Sequence, residues 1–327
     1  MKKKTVLTVL AVLVLSAVIA AAVFMDRDKD DGGRGYSPTA DKYNAPNVIS
    51  YNGQNYEQNK ALTTVLFIGV DDFGPVRESP VYFNEGQADF LMLGIFDKST
   101  ESVRLLHINR DTMTPVRRLV LGGKSAGSAE MQIALAHTYG KGLQDSCLNT
   151  ELAVSTLLQG TNIDFYFAMN MDGVALLNDE VGGVTVTIED EFRGDADFVV
   201  GETITLQGEQ ALAYVRGRSS VADGSNVNRM KRQRDYIRKF LANFESSSQS
   251  IDFINTAIRL ISEYSVTDMP LEKLSEIAGL FSEYELENVY TIAGDFSYEN
   301  RYVEFYPDRT ALTELLIELL YLPENKK

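Results

Sequence analysis

The chain has 327 residues, 44% of them apolar, with a formal net charge of −15, two histidines and one cysteine. This composition argues against wholesale disorder and nonspecific nucleic-acid binding, and one cysteine rules out an intrachain disulfide. Two histidines leave little material for a His-based zinc site.

Lys2, Lys3 and Lys4 precede an uncharged run from Thr5 to Met25, and Asp26, Asp28, Asp30 and Asp31 follow it. As a helix the run would span about 31 Å, close to the hydrocarbon thickness of a bilayer. The positive-inside bias then predicts a cytoplasmic tip at residues 1–4, a transmembrane helix at 5–25, and everything later outside the cytoplasm. A cleaved signal peptide is the alternative, with Ala20, Ala21 and Ala22 as small residues for a peptidase. The run is longer than a typical signal core, however, and that site lies within it. Residues 1–25 carry three Lys and no acid, so the remainder carries −18. Residues 26–60 are rich in Asp, Gly, Asn, Ser and Tyr without a period, and are expected to be an extracytoplasmic linker.

Residues 64–70, 90–96 and 102–108 read as strands. The first two are nearly continuous apolar runs, which suits central strands covered on both faces. Helices are expected at 129–139 and 151–159, a strand at 165–169, a helical stretch at 174–177 and a strand at 184–188. Helical character returns at 207–214 and 230–244, then at 251–264 and 271–284. Strand-like stretches at 289–292 and 302–305 precede a last helix, 309–320, with Leu312, Leu315, Leu316, Leu319 and Leu320 on one stripe. The interleaving predicts an α/β fold, a mixed central sheet sandwiched by helices. Its main domain is expected at 61–249, with 250–327 as an α/β extension packed on the same body.

Asp71 and Asp72 follow the first strand, Asp89 opens the second and Asp111 follows the third. Ligands of α/β sheets tend to bind at such strand ends. Carboxylates there can hold a hard divalent cation, and Mg2+ needs only one or two when phosphate supplies the rest. Turn and cap roles are the plain alternative. Arg110 stands beside Asp111, ready either for the same cleft or for a structural Arg–Asp pair. Arg216 and Arg218 are two apart, so in an extended segment they face one side. Arg229, Arg232 and Gln233 share one face of a helix. Cations near a helix start oppose the macrodipole, and a bound dianion would compensate. Guanidinium forks match phosphate oxygens. An exposed basic helix face is the other reading. Gly69 belongs to no phosphate-binding loop of the Walker type, and Ser219 and Ser220 lack a nucleophile elbow. His107, inside an apolar strand, is expected to be structural.

Taken in order, several short motifs resemble the LytR-CpsA-Psr (LCP) family of cell-envelope proteins over residues 66–240. They are Ile68-Gly-Val-Asp71, Ala88-Asp89-Phe90, Ile108-Asn-Arg110-Asp111, Val181-Gly-Gly-Val184, the stretch from Leu206 to Arg218, and Arg229 with Arg232-Gln233. The resemblance implies an LCP-like fold and a phosphotransferase. Such enzymes move a glycopolymer, of teichoic acid or capsular polysaccharide type, from a polyprenyl-pyrophosphate carrier to peptidoglycan. It further implies that Asp71 and Asp89 hold Mg2+, and that Arg110, Arg216, Arg218, Arg229 and Gln233 grip the phosphates. Arg232 would assist them or support the helix, and the lipid tail would enter an apolar tunnel. Asp111 is a candidate general base. The chain departs from the family at Asn109, where Pro is usual, and at Phe90. Asn226 and Asn228 stand where Asp and Gly are usual, which makes Asp223 a further candidate metal ligand. That departure also motivates a rival expectation, a noncatalytic binder of lipid-linked pyrophosphate or glycopolymer.

Overall fold

Three strands, β3 (Leu62–Val70), β4 (Ala88–Asp97) and β5 (Ser102–Ile108), pair antiparallel with one another in that order at the centre of the computed structural model. The described residues are 48–120, 122–247, 251–299 and 301–324. The expected tip, transmembrane helix and residues 26–47 of the linker lie outside them. No described helix is long and apolar enough to cross a membrane.

The remaining strands are β1 (Val48–Tyr51), β2 (Gln54–Gln58), β6 (Met113–Val120), β7 (Lys124–Gln132), β8 (Phe165–Asn170), β9 (Val184–Thr187) and β10 (Thr203–Leu206). Then come β11 (Ser265–Thr267), β12 (Glu285–Thr291), β13 (Gly294–Ser297), β14 (Glu304–Pro307) and β15 (Tyr321–Pro323). The helices are α1 (Gln144–Leu157), α2 (Met171–Glu180), α3 (Glu209–Arg216), α4 (Asn226–Ser247), α5 (Ile251–Ile261), α6 (Leu271–Glu283) and α7 (Arg309–Leu320).

The six-stranded sheet has the order β11-β8-β3-β4-β5-β12. β8 pairs with β3 and β12 with β5 in parallel, so the sheet is mixed. Period-two alternation divides each central strand between two cores. Leu66, Ile68, Leu91, Leu93, Leu106 and Ile108 face α1 and α7. Val65, Met92, Phe96, Val103, Leu105 and Phe167 face α5 and α6. Both faces are therefore buried, which explains the near-continuous apolar runs. A third core joins the β9–β10 hairpin to α3 and α4 through Phe192, Phe198, Tyr214 and Tyr236. The helix at Arg309–Leu320 starts where Asp308 accepts from the amides of Thr310 and Ala311 at 2.9 and 3.1 Å.

Two expectations are corrected. Residues 48–58 are not linker: β1 and β2 form a hairpin through Asn52-Gly53, both at positive φ, and β15 extends it. The helix expected at 129–139 is instead strand β7 as far as Gln132, followed by a 3-10 turn, Ile133–Thr138. Pairing with β6 (Val116 opposite Ala129, Met113 opposite Gln132) takes the backbone groups a helix would need. The amides of Ile133 and Ala134 then donate to the carbonyls of Thr112 and Arg110, at 2.8 and 3.2 Å. That contact anchors the segment carrying Arg110.

Candidate anion site at the sheet end

β3 and β4 deliver two carboxylates to one end of the sheet. Gly69 pairs with Phe90 and Val70 with Ala88, so Asp89 is the extra residue of a β-bulge. Bulges re-aim side chains beside functional clefts. Gly69 is required here, because a Cβ on it would lie 2.8 Å from Phe90 Cβ. The amides of Asp71 and Asp89 both donate to the Gln87 carbonyl, at 2.9 and 3.0 Å, which holds the two aspartates side by side.

Guanidinium groups from three separate segments meet these carboxylates. Arg110, just after β5, donates to Asp89 Oδ1 and, at 2.6 Å, to Gln87 Oε1. Arg229, in the first turn of α4, donates from Nη1 to Asp89 Oδ2 at 3.1 Å. Arg216, the last residue of α3, donates to Asp71 Oδ1 at 2.7 Å and lies over the Phe73 ring at 5.0 Å. Gln233, one turn beyond Arg229, donates to the Val215 carbonyl at 3.1 Å. α4 itself begins where Ser225 Oγ accepts from the Asn228 amide at 3.2 Å.

Burial differs sharply among these groups. Arg229 is 5% exposed, and burial pulls its pKa down against the opposing pull of Asp89. The Arg216–Asp71 pair is open to solvent, with side chains 41% and 37% exposed. Asp111 is buried beneath Arg110, whose Nε lies 3.5 Å from Asp111 Oδ1. Burial raises the Asp111 pKa, and Arg110, Arg218 and Arg229 oppose the shift. Arg110 Nε and Asp111 Oδ2 have no hydrogen-bond partner among the described residues.

An apolar cavity of about 320 Å3 opens onto this cluster. It runs between the sheet and helices α4, α5 and α6, past Phe67, Phe167, Ile237, Leu241, Ile261 and Phe281. Asp89, Arg216, Arg229 and Gln233 line its charged end.

Other expected site residues are placed differently. Arg216 and Arg218 do not form an extended pair, because Arg216 ends α3 and Gly217 caps it. Arg218 donates instead to the Gly224 carbonyl at 3.4 Å, within its own loop. Arg232, expected among the phosphate-binding groups, donates to Asp190 at 2.8 Å, to the Tyr214 carbonyl at 3.3 Å and to the Gly217 carbonyl. All its nitrogens are engaged, so it braces α4 against α3. Asp223 is turned onto its own loop, accepting from the Ser225 amide and Asn228 Nδ2 at 2.9 and 2.8 Å. Those bonds lower its pKa, the Ser225 amide most. Among the described residues no group of three or more His, Cys, Asp or Glu side chains is placed to hold a metal. His107 is buried, its pKa pushed down to about 3 by burial and then by Arg234 and Arg229.

Sequence reasoning missed Gln87, Phe73 and Asp190. The Gln87 side chain lies next to Ala88-Asp89 and follows the long loop after β3, where no periodicity marks it. Asp190, just beyond β9, is far from Arg232 in sequence, so only the fold pairs them.

The LytR_cpsA_psr family signature matches residues 34–319. TagV of Bacillus subtilis (strain 168), a polyisoprenyl-teichoic acid–peptidoglycan teichoic acid transferase, is 27% identical over 271 residues. The match covers 79% of this chain and 64% of TagV, so the chain spans a little under two thirds of that relative. TagU of Bacillus licheniformis, described by the same activity, is 26% identical over 258 residues, covering 78% of this chain and 76% of TagU. The crystal structure of B. subtilis TagV superimposes with a TM-score of 0.59 at 26% identity, covering 80% of this chain and 96% of that one. Protein gbs0355 of Streptococcus agalactiae shares the fold, with a TM-score of 0.65 at 21% identity over 79% of this chain and 86% of that one. With its motifs in order, its fold shared and the family signature running over most of its length, this chain belongs to the LytR-CpsA-Psr family.

Proposed function

We propose that this protein transfers a glycopolymer, of teichoic acid or capsular polysaccharide type, from a polyprenyl-pyrophosphate carrier to peptidoglycan. One observation carries the reading: an apolar cavity ends on Arg229, Arg216, Gln233 and Asp89. A long hydrocarbon chain bearing a pyrophosphate has that same division between apolar tail and charged head. The activity of TagV and TagU supports the assignment.

In the reaction an acceptor hydroxyl oxygen attacks the sugar-linked phosphorus and forms a new P–O bond. The bond from that phosphorus to the bridging oxygen breaks, and polyprenyl phosphate leaves with the electron pair. The hydroxyl proton is released to water at the open Arg216–Asp71 end. Negative charge gathers on the nonbridging and leaving oxygens, where Arg110, Arg216 and Arg229 already converge. Asp71 and Asp89, fixed on one carbonyl, are the oxygen donors that would hold Mg2+, a pair that suits an ion taking its other ligands from phosphate and water. Such an ion would neutralise charge on the phosphate oxygens. Asp111, sealed beneath Arg110, is suited to fixing that guanidinium rather than meeting a glycan hydroxyl. Residues 5–25 would anchor the chain in the membrane with the domain outside the cytoplasm, beside a bilayer-embedded donor at high effective concentration.

Asn226, an amide where the family has a carboxylate, favours a second reading: a noncatalytic binder of the same lipid-linked donor. The test is incubation of the full chain in detergent with lipid-linked donor, Mg2+ and peptidoglycan. Covalent glycopolymer on the peptidoglycan is the expected result. Tight donor binding without product would establish the binder instead.

A further inference from the structure

Asn109 and Asn226 are both buried and touch each other. Asn109 Oδ1 accepts from the Asp111 amide at 2.9 Å and from Asn226 Nδ2 at 2.7 Å. Asn226 Oδ1 in turn accepts from Arg229 Nε at 3.0 Å and Nη2 at 2.6 Å. Arg229 then reaches Asp89.

A backbone amide fixes the direction of this chain. The Asp111 N–H can only donate, so it holds the oxygen of Asn109, and not its NH2, toward the cluster. The residue facing that oxygen must be a donor. An amide at position 226 satisfies both neighbours at once, donating to Asn109 and accepting from Arg229. A carboxylate would also accept from Arg229. It would, however, set a second oxygen about 2.7 Å from Asn109 Oδ1 with no proton between them.

Charge gives the second difference. Arg110 and Arg229 share Asp89 as counter-ion, and Asp111 lies against Arg110. The uncharged amide at 226 puts no further negative charge on the Arg229 fork. An aspartate there would place a carboxylate directly on Arg229 Nε and Nη2.

Resting on the proposed donor reading, we infer that Asn226 is a positioning residue for pyrophosphate binding. Its amide, oriented by Asn109, holds the Arg229 fork in place without neutralising it, so the guanidinium keeps its charge for the donor's pyrophosphate. The amide is therefore a working part of the site and not a lost carboxylate.

The experiment uses the full chain in detergent, titrated calorimetrically with inorganic pyrophosphate and with a short-chain isoprenyl pyrophosphate, alongside thermal melts. Asn226→Asp should lower the melting temperature and weaken both ligands by roughly tenfold or more, through repulsion and neutralisation together. Asn109→Ala adds no charge but frees the Asn226 amide, so it should weaken both ligands several-fold, less than Asn226→Asp does. The double variant Asn226→Asp/Asn109→Ala removes the oxygen–oxygen contact. It should regain thermal stability toward that of Asn109→Ala but not regain affinity, a split that a purely structural role would not produce. Wild-type affinity in the double variant would overturn the inference and leave the donor reading intact. Tighter, Mg2+-dependent binding by Asn226→Asp would also overturn it, by making position 226 a missing metal ligand. A wild-type chain that binds neither ligand would overturn the donor reading itself and the inference with it.

Discussion

Narrowing the apolar cavity should erase the dependence of donor affinity on lipid length while leaving the charged end working. Ala278 on α6 and Ala257 on α5 both line the cavity. A phenyl group at Ala278 would occupy part of the roughly 320 Å3 that the tail is proposed to fill. An isoprene unit carries five carbons, and burying each gives about 0.8 kcal/mol, so the ceiling is about 4 kcal/mol per unit. Ordering the chain costs on the order of 1 kcal/mol, which leaves about 3 kcal/mol, or roughly 150-fold in affinity per buried unit. The assay is calorimetric titration of the full chain in detergent with isoprenyl pyrophosphates of increasing length. Wild type should show steps of that size until the cavity is full, and Ala278→Phe should plateau at least one unit earlier. Inorganic pyrophosphate should bind both alike. Ala257→Leu offers a smaller obstruction on another wall and should lie between them. An unchanged length dependence in both variants would remove the tail from this cavity and take away the main support for the transferase reading.

Arg216→Ala should shift stability by no more than about 0.5 kcal/mol, because its pair with Asp71 is solvent-exposed. Transfer should still fall by roughly a hundredfold as a charge stabiliser is lost, and equal rates would refute the role. Arg232→Ala should do the opposite, since its partners are Asp190 and two carbonyls. A loss of roughly 3 kcal/mol in denaturant unfolding is expected, with pyrophosphate affinity of the folded protein within about twofold. A large affinity loss would restore Arg232 to the phosphate-binding set. His107 predicts acid sensitivity: its folded pKa is about 3, below the ordinary 6.5, so unfolded chains bind a proton that the buried ring refuses. Its contribution is therefore complete above pH 6.5 and declines as pH falls toward 3, with a ceiling of roughly 5 kcal/mol. His107→Phe should flatten the stability profile in that window, and identical losses in both proteins would contradict it.

The central strands were legible because burial on both sheet faces imposes long apolar runs, as at Phe90-Leu-Met-Leu-Gly-Ile-Phe96. Residues 129–139 were misread because their partner in β6 lies well before them in sequence, and pairing overrode the local pattern. The hairpin at 48–58 takes its third strand from residues 321–323, near the far end of the described chain. A local reading of Asn, Gly and Ser saw only spacer. For the site, residue types and strand-end positions pointed to Asp71, Asp89, Arg110, Arg216 and Arg229, which the fold brings together, and equally to Arg218, Arg232 and Asp223, which it turns to other partners. Arg229 and Arg232 are three apart and equally basic, yet one reaches Asp89 and the other Asp190. The cavity was expected only from the family resemblance, because its Phe, Leu and Ile residues are the same types that fill the three cores.

The paired charges explain how so acidic a chain can present the proposed anion site. Without a ligand, each buried or half-buried guanidinium needs a nearby acceptor, and Asp71 and Asp89 provide one. Those carboxylates keep the arginines gathered at one place instead of letting them repel each other apart. An arriving pyrophosphate offers the same oxygen geometry with more charge, so the arginines can change partners with little movement. The displaced carboxylates then face phosphate, a repulsion that a shared divalent cation would remove, which is the physical reason to expect Mg2+ dependence of donor binding as well as of transfer. On this argument Asp89→Asn should bind pyrophosphate more tightly than wild type without Mg2+ and lose the gain that Mg2+ gives. Unlike Asp89→Ala, it keeps one side-chain oxygen for Arg110 or Arg229, with its NH2 toward the other. Calorimetric titration with and without the cation checks both halves, and a Mg2+ response equal to wild type would separate Asp89 from the metal altogether.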